Sequence, residues 1–152
     1  MTIYLGADHG GFALKEYLKG NLKNDGYDVV DCGPMERVEG DDYPDYGASV
    51  AAKVSLTPDQ SRGILICRSG FGMDITANKF PYVRAGLAMS SDQAFQGRHD
   101  DDINVLCLAA DFIDQATALN VVKTFLSAAF AKEERYTRRL QKLAAIEENN
   151  KK

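Results

Sequence analysis

The sequence predicts an α/β domain in which helices cover both faces of a five-stranded parallel sheet. Short apolar runs alternate with helix-like segments five times along the chain, which is the pattern of such a sheet. The length of 152 residues is typical of one domain. Hydrophobic residues make up 45% of the chain and charged residues 26%, as in an ordinary globular protein. We therefore expect one domain over residues 1–152, with right-handed crossovers between its strands.

The first two strands and the helix between them come from the N-terminal part of the chain. Ile3–Gly6 is a short apolar run that enters a glycine-containing loop. Phe12–Asn24 places apolar residues among lysines at the spacing of an amphipathic helix, and Asp25 with the glycine after it ends that helix. Tyr27–Asp31 is the second expected strand, and a polar loop follows it as far as Asp42.

The middle of the chain predicts a helix, a strand and a short helix. Pro44, two residues after Asp42, suits the first turn of a helix that continues over Tyr46–Val54. Gly63–Cys67 is the third expected strand, and a short helix is expected from about residue 73 to residue 78.

The C-terminal part predicts two more strands and three helices. In chain order they are a strand at Val83–Ala88, a helix from the cap Ser90-Ser91-Asp92 to Gly97, a strand at Asn104–Leu108, and helices at Ile113–Phe130 and Glu133–Glu148. The last helix is strongly charged, so we expect it to extend along a partner subunit or into solvent. Residues 143–152 are a candidate disordered tail.

Charge and cysteine content exclude several function classes. A net charge of −4 argues against a protein that binds nucleic acid or a membrane surface. The N-terminus lacks the features of a signal peptide, and no apolar run approaches the length of a membrane span. Cys32, Cys67 and Cys107 form neither a metal pattern nor a disulfide framework. The sequence therefore predicts a cytoplasmic protein with free thiols.

The loop after the first strand is the first candidate site. It reads G-A-D-H-G-G over residues 6–11 and places Asp8 and His9 at a strand end, where parallel sheets bind ligands. A histidine there can act as a general acid or base near neutral pH. The alternative is a tight turn in which Asp8 caps the following helix.

The stretch I-L-I-C-R-S-G-F-G-M-D, residues 64–74, is the second candidate site. Cys67 ends an apolar strand beside Arg68, and Ser69, Gly70 and Gly72 form a loop whose N–H groups can point at an anion. A thiolate here could abstract a carbon-bound proton while the loop holds the oxyanion that results. The alternative is a core cysteine. Cys32 and Cys107 are interpreted as structural.

Two further clusters carry charged residues. His99 precedes Asp100, Asp101 and Asp102, a group that could supply a general acid, bind a divalent metal ion, or form a solvated acidic loop before a strand. In E-E-R-Y-T-R-R-L, residues 133–140, Arg135 and Arg139 are four positions apart and share one helix face. Such a pair can bind phosphate, although an exposed helix with Glu–Arg pairs gives the same pattern.

These stretches, in this order, resemble the ribose-5-phosphate isomerase B family, which has relatives that act on galactose-6-phosphate and allose-6-phosphate. The matching segments are G-A-D-H-G-G-F-A-L-K at 6–15, D-Y-P-D-Y-G at 42–47, G-I-L-I-C-R-S-G-F-G-M-D-I-T-A-N-K at 63–79, V-R-A-G-L-A at 83–88, N-V-L-C-L at 104–108 and R-Y-T-R-R at 135–139. The resemblance implies a flavodoxin-like, Rossmann-like three-layer α/β/α sandwich. It also implies a homodimer or homotetramer with active sites shared between subunits, and no metal or organic cofactor.

The same resemblance implies roles for individual residues in an aldose–ketose isomerisation through a cis-enediolate. Cys67 would be the base that moves a proton between C1 and C2. Ser69 and the backbone of Gly70–Gly72, which includes Phe71, would hold the enediolate oxygen. Asp8 and His9 would contact the sugar or its phosphate. Arg135 and Arg139 would contact the phosphate.

The chain departs from the family pattern at several of these positions. Arg68 stands where the family has glycine, and Asp111 where it often has an arginine near the phosphate. Asp100 takes the place of the ring-opening histidine, with His99 one residue early, and Asp101 replaces an asparagine that helps hold the substrate. Tyr136 also replaces a histidine.

These departures lead to two hypotheses. Arg68 either pairs with Asp111 or takes over an anion contact near the thiol. Ring opening uses Asp100, the shifted His99, or a substrate that is already open.

The sequence therefore predicts a sugar-phosphate isomerase with an altered substrate preference. The alternative is a family member that has lost catalysis and binds a sugar phosphate as a sensor or an inactive subunit. A thiol redox module is disfavoured because no second cysteine lies nearby in the sequence.

Overall fold

The computed structural model describes residues 1–150, in which strands and helices alternate. Its elements are β1 Thr2–Ala7, α1 Phe12–Asn24, β2 Asp28–Asp31, α2 Tyr43–Leu56, β3 Ser61–Cys67, α3 Phe71–Ala77, β4 Ala85–Leu87, α4 Ser91–Asp101, β5 Val105–Ala109, α5 Gln115–Ser127 and α6 Glu134–Asn149. All strand pairs are parallel, in the order β2-β1-β3-β5-β4. The predicted five-stranded parallel sheet is confirmed.

Both faces of the sheet are covered, each by its own apolar cluster. Successive side chains of a strand point to opposite faces, so Ile64 and Ile66 of β3 join the cluster formed with α1, α4 and α5. Leu65 and Cys67 join the cluster formed with α2 and α3. This arrangement is the predicted three-layer sandwich, and it explains why the central strands read as continuous apolar runs.

Strand β4 is shorter than the predicted Val83–Ala88. Two asparagine side chains take over backbone partners that a longer strand would use. The Arg84 N–H donates to Asn104 Oδ1 at 2.8 Å, and the Ala85 N–H donates to Asn78 Oδ1 at 2.9 Å. The edge strand therefore begins only at Ala85.

Helix α4 is longer than predicted, so the expected end at Gly97 is wrong. Gly97 is required by close packing, because a Cβ there would lie 2.9 Å from Ile103 Cδ1. The helix ends instead at Asp101, and its C-cap Asp102 has a φ of 49° and a ψ of 44°, which are left-handed. His99, Asp100 and Asp101 therefore lie in a helix and not in the acidic loop that was the alternative.

Helix α6 continues through the predicted disordered tail as far as Asn149. Glu147 accepts a hydrogen bond from the Tyr82 N–H at 2.8 Å, which ties the end of α6 to the segment before β4. Residues 151 and 152 lie outside the described part of the chain, and the extension of α6 to a partner subunit stays a prediction. Over residues 1–150, the helices are all too short or too polar to cross a membrane.

Candidate active site

Three neighbouring strands end at one edge of the sheet and bring most of the predicted site residues together. Asp8 and His9 follow β1, the loop from Arg68 to Gly72 follows β3, and Asp111 follows β5. These strands are adjacent in the order β1-β3-β5. We call the place where they end the carboxyl edge. Ligands bind at this edge in open parallel sheets.

Cys67 is held at the start of the glycine loop. Its side chain belongs to the core cluster shared with α2 and α3, the residue is only 4% exposed, and its Sγ accepts the Gly70 N–H at 3.1 Å. Gly70 has a φ of 79°, and a Cβ there would lie 2.4 Å from Leu87 Cδ1. Only glycine fits both the backbone and the space, so the loop is built to aim this N–H at the sulfur.

The rest of the glycine loop is partly open. Ser69 is half-buried, and Phe71, the first residue of α3, is exposed. The ring of Tyr43 covers Gly72, since a Cβ on Gly72 would lie 2.8 Å from Tyr43 Cε2. Tyr43 was missed by sequence reasoning, although it belongs to the matching segment D-Y-P-D-Y-G.

The other two cysteines lie in structural surroundings. Cys107 is completely buried in β5, and this burial raises the pKa of its thiol well above the ordinary value. Cys32 is half-buried after β2, and burial raises its pKa as well. Both thiols are therefore poor nucleophiles, in agreement with their interpretation as structural residues.

Arg68 pairs with Asp111 across the carboxyl edge. Arg68 Nε lies 3.0 Å from Asp111 Oδ2, so the first of the two hypotheses for Arg68 is confirmed. The aliphatic part of Arg68 lies over Gly10, where a Cβ would be 2.2 Å from Arg68 Cγ. The Arg68 side chain is still 68% exposed. The guanidinium is thus oriented by a carboxylate and remains accessible to a ligand.

Asp8 and His9 have different surroundings in the loop after β1. Asp8 is buried, and its Oδ1 accepts the Gly11 N–H at 3.0 Å, so it closes the tight turn before α1; the N-cap of α1 is Gly11, so Asp8 does not cap the helix as the alternative interpretation proposed. His9 Nδ1 lies 2.7 Å from Asp41 Oδ1. The hydrogen bond to Asp41 is the main cause that raises the pKa of His9, and burial opposes it.

A second group of predicted residues lies where α4 meets α6. We call it the α4–α6 cluster; its members are His99, Asp100, Arg135, Tyr136 and Arg139. His99 Nδ1 lies 2.7 Å from Asp100 Oδ1, and the His99 ring meets the Tyr136 ring edge-on at 5.9 Å. Arg135 and Arg139 lie over the Tyr136 ring at 4.4 and 5.7 Å.

The electrostatics of the α4–α6 cluster keep one carboxylate ionised. The hydrogen bond from His99 is the main cause that lowers the pKa of Asp100, and Tyr136 and Arg135 add to it against burial. Burial raises the pKa of Tyr136, as does its hydrogen bond to Asp100. At neutral pH the cluster therefore presents an ionised Asp100, a neutral phenol and two guanidinium groups.

The α4–α6 cluster and the carboxyl edge lie at opposite ends of the sheet. Helix α4 runs back from the carboxyl edge, so His99 and Asp100 come just before the start of β5. Val105 at that start is level with Gly63, four residues before Cys67 in β3. At about 3.3 Å per residue this is a separation of roughly 13 Å along the strand. One chain therefore does not bring His99, Asp100, Arg135 or Arg139 to Cys67.

The acidic residues at the end of α4 are engaged in ion pairs or lie in a groove. Asp102 pairs with Arg84 at 2.7 Å and with Arg98 at 2.6 Å. Within residues 1–150, no three histidine, cysteine or acidic side chains are grouped so as to hold a metal ion. Asp101 lines a groove of about 1040 Å³ between α6 and β4, and the lining of this groove includes neither Cys67 nor the glycine loop.

Comparison with known proteins decides the family. The family model described as Ribose/Galactose Isomerase matches residues 3–143. The chain belongs to the ribose/galactose isomerase family. Every segment that carried the resemblance lies within those matched residues.

Members of the ribose/galactose isomerase family with similar sequences cover nearly the whole chain. A relative from Mycoplasma genitalium named probable ribose-5-phosphate isomerase B is 38% identical over 96% of this chain and 95% of its own. A solved structure of ribose-5-phosphate isomerase B from the same organism, with bound ribulose-5-phosphate, has a TM-score of 0.94 and covers 97% of this chain and 96% of its own. A Clostridium relative named 4-deoxy-4-sulfo-D-erythrose isomerase is 33% identical over 98% of this chain and 97% of its own.

Proposed function

We propose that this chain is an aldose–ketose isomerase of a phosphorylated sugar, ribose-5-phosphate or a related pentose or hexose phosphate, and that Cys67 is its base. The observation that carries the proposal is the hydrogen bond of 3.1 Å from the Gly70 N–H to Cys67 Sγ at the carboxyl edge. This N–H holds the sulfur at the strand end, where ligands bind in open parallel sheets, beside a loop that can receive an oxyanion. The ribulose-5-phosphate bound to the Mycoplasma genitalium structure supports the substrate class.

The reaction moves one proton between two neighbouring carbons. The Cys67 thiolate takes the proton from C2 of the open aldose, the C–H electrons form a C1=C2 bond, and O1 becomes an oxyanion. The Ser69 hydroxyl and the N–H groups of Phe71 and Gly72 stabilise that oxyanion, while the Gly70 N–H stays on the sulfur. The thiol then returns its proton to C1, and C2 becomes the carbonyl carbon as the O2 proton passes to O1. No electron is gained or lost overall.

The anion of the substrate is held by cations in an otherwise acidic protein. Arg68 and His9 lie at the carboxyl edge, and Arg135 and Arg139 of the α4–α6 cluster are two further cations. Planar guanidinium groups suit the oxygens of a phosphate or a sulfonate. The Clostridium relative is named for a sulfonated sugar, which supports an anion other than ribose-5-phosphate as a candidate substrate.

We propose further that each active site is shared between two subunits of a homodimer or homotetramer. The argument is the separation of the two groups within one chain. If a partner places its α4–α6 cluster over the carboxyl edge, its Arg135 and Arg139 meet the phosphate. Its His99 or Asp100 then serves in ring opening, with Asp101 near the substrate.

The test is an isomerisation assay on a panel of sugars. It includes ribose-5-phosphate, allose-6-phosphate, galactose-6-phosphate and 4-deoxy-4-sulfo-D-erythrose. Cys67→Ala should lower kcat by about 10²–10⁴-fold on whichever sugar is turned over, as expected for loss of a proton-transfer group. Cys32→Ala, which removes a thiol outside the site, should leave kcat unchanged.

Two outcomes would contradict the proposal. Full turnover by Cys67→Ala would show that the base is another group. Tight sugar-phosphate binding by the wild-type protein, with no turnover of any sugar on the panel, would identify a sensor or inactive subunit. A specific observation makes this second outcome worth testing, because Asp111 places a carboxylate beside the anion-binding Arg68.

A further inference from the structure

Asp41 has no role in the function proposed so far, and it lies outside the segments that carried the resemblance. It belongs to the loop between β2 and α2, thirty-two residues from His9 in sequence. One oxygen, Asp41 Oδ1, lies 2.9 Å from the backbone nitrogen of His9 and 2.7 Å from its Nδ1. Both the backbone and the ring of His9 are thus held by the same carboxylate.

The Asp41 carboxylate is buried but stays charged. Its side chain is 7% exposed. Burial alone would raise the pKa of Asp41, but the hydrogen bonds from the His9 amide and imidazole outweigh burial and lower it. The Tyr46 hydroxyl also interacts with Asp41, at a geometry looser than a full hydrogen bond, since Asp41 Oδ2 has no close partner. His9 is therefore the main partner of a buried anion.

The contact determines which ring nitrogen of His9 is free. An ionised carboxylate can only accept, so Nδ1 must carry a hydrogen and donate it to Asp41. Nε2, on the other side of the ring, is left for a ligand, and the His9 side chain is 25% exposed. In its protonated form His9 can donate from Nε2 to an anion.

We propose that Asp41 is a positioning residue that fixes the orientation of the His9 ring and stabilises its imidazolium form, so that Nε2 donates to the anionic group of the substrate. This inference rests on the proposed function for the nature of that substrate. The arrangement parallels the other cation of the carboxyl edge, since Asp111 orients Arg68 as Asp41 orients His9. Each cation is aimed by a carboxylate behind it, which suits a fixed anion position.

The charge state of His9 follows from the groups that face it. Asp41 raises its pKa most, Asp8 of its own loop and Glu39 of the loop before α2 add to this, and burial opposes them. Arg68 reaches over the same loop from the end of β3. With Asp41 present, His9 stays protonated to a higher pH than an ordinary histidine, and anion binding should weaken as the pH rises through its pKa.

The decisive measurement is an NMR titration of the unliganded protein, which needs no turnover. The chain has two histidines, His9 and His99, so their ring signals can be assigned with the single variant His9→Gln. Asp41→Asn keeps an oxygen that can accept from Nδ1 but removes the negative charge. We expect the midpoint of His9 to shift to lower pH in Asp41→Asn, and that of His99 to stay where it is.

A matched control removes the same charge from the same loop without touching His9. Glu39 is exposed and pairs with Arg37. Glu39→Gln should move the His9 midpoint much less than Asp41→Asn does. Equal shifts in the two variants, or no shift in Asp41→Asn, would overturn the inference, because the specific contact would then have no effect.

Binding and kinetics test the positioning role itself. At a pH above the shifted midpoint of His9, Asp41→Asn should raise KM for the sugar phosphate about tenfold, which is the effect of losing roughly one charge-assisted hydrogen bond. The kcat should change far less. Below that midpoint, where His9 is protonated again, KM should return toward the wild-type value, which a variant with a damaged fold would not show. An unchanged KM at every pH would contradict the role.

Failure of the proposed function can be told apart from failure of this inference. If the wild-type protein turns over no sugar, inorganic phosphate replaces the substrate, and its affinity is read from the shift of the His9 ring signal. A loss of phosphate affinity in Asp41→Asn above the His9 midpoint supports the inference even then. Equal phosphate affinities in the two proteins refute it.

Discussion

Gly70 shows how a single residue can fix the geometry of the proposed base. Its left-handed backbone aims an N–H at Cys67 Sγ, and the missing Cβ leaves room for Leu87. Any other residue at position 70 would strain the backbone and also collide with Leu87, so a substitution there should lower the free energy of unfolding for two separate reasons.

The first prediction separates these two costs. Gly70→Ala should lower the free energy of unfolding by about 2–5 kcal/mol, combining left-handed strain of about 1–2 kcal/mol with overpacking of about 1–3 kcal/mol. Gly26→Ala is the matched control, because Gly26 has a φ of 84° and a Cβ there would meet nothing within 4 Å. Urea denaturation of both variants measures the difference. Equal losses would show that the contact with Leu87 costs nothing.

The residues of the glycine loop could be predicted from the sequence, whereas Asp41 could not. Cys67 to Gly72 are contiguous, so the strand end, the glycines and the thiol form one local pattern. Asp41 acts through His9, thirty-two residues away, from a loop without periodicity. Only the folded chain brings Asp41 and His9 together. The one signal in the sequence was that Asp41 lies in a polar loop that follows a strand end.

At the scale of elements, α1 is joined to the end of β2 by a buried ion network. Lys15 is 0% exposed, and its Nζ lies 2.7 Å from Asp31 Oδ2 and 2.8 Å from Glu16 Oε1. Lys19 lies 2.6 Å from Glu16 and 2.7 Å from Asp31. Asp31 Oδ1 also accepts the Gly33 N–H at 2.9 Å. The network thus fixes the helix that follows Asp8 and His9.

The second prediction concerns the removal of one member of that network. Lys15→Met leaves the Asp31 carboxylate buried with less compensation, so it should cost about 3 kcal/mol of unfolding free energy at pH 7. Lys123→Met, which breaks the exposed pair with Asp25, should cost about 0–1 kcal/mol. Denaturant titration of both variants gives the comparison. A loss in Lys15→Met no larger than in Lys123→Met would mean that the buried network adds nothing.

The third prediction is the pH dependence of the same network. Burial would raise the pKa of Asp31, but the hydrogen bonds from Lys15 and Lys19 outweigh burial and lower it below the usual 3.8. Its contribution to stability is therefore present above about pH 4 and is lost as the pH falls through the lower, folded pKa. In denaturation between pH 7 and pH 2, Asp31→Asn should lose less stability on acidification than the wild-type protein. Equal acid sensitivity would contradict this account.

Element boundaries were predicted best where the sequence pattern was not overridden by tertiary contacts. Helix α1 begins and ends at the predicted residues, because its apolar spacing and its Asp-Gly end are local signals. The predicted end of α4 was wrong because Gly97 does not end the helix; it is a glycine because its backbone packs closely against Ile103. The predicted β4 was too long because the side chains of Asn78 and Asn104, which lie outside the strand, accept hydrogen bonds from its backbone N–H groups. The contact of Asn104 spans 20 residues, and that of Asn78 spans 7 but follows no periodic pattern, so the periodicity of the sequence signals neither.

At the scale of the whole molecule, the carboxyl edge and the α4–α6 cluster lie at opposite ends of the sheet. This separation leads to a prediction about the proposed homodimer or homotetramer. If each site combines the carboxyl edge of one subunit with the α4–α6 cluster of another, then variants damaged in different groups should complement each other. Cys67→Ala damages the first group, and the double variant Arg135→Ala, Arg139→Ala damages the second.

The fourth prediction is therefore recovery of activity on mixing two inactive proteins. In a symmetric dimer with free subunit exchange, equal amounts of the two variants should restore about one quarter of the wild-type sites, since half of the dimers are mixed and each has one intact site. The isomerase assay after exchange measures this recovery. A mixture of Cys67→Ala with Cys67→Ser is the control and should stay inactive. If the first mixture also stays inactive although exchange is complete, each site belongs to one subunit.

Tyr136 has a consequence for the pH range over which the proposed phosphate contacts of Arg135 and Arg139 are supported. Its ring lies under the guanidinium groups of Arg135 and Arg139 and meets the ring of His99. Its pKa is raised above the ordinary value by burial and by Asp100, so it stays neutral over the whole physiological range. A histidine in its place would gain a charge below neutral pH and repel both arginines. Mild acidification would therefore leave this support for the two arginines in place.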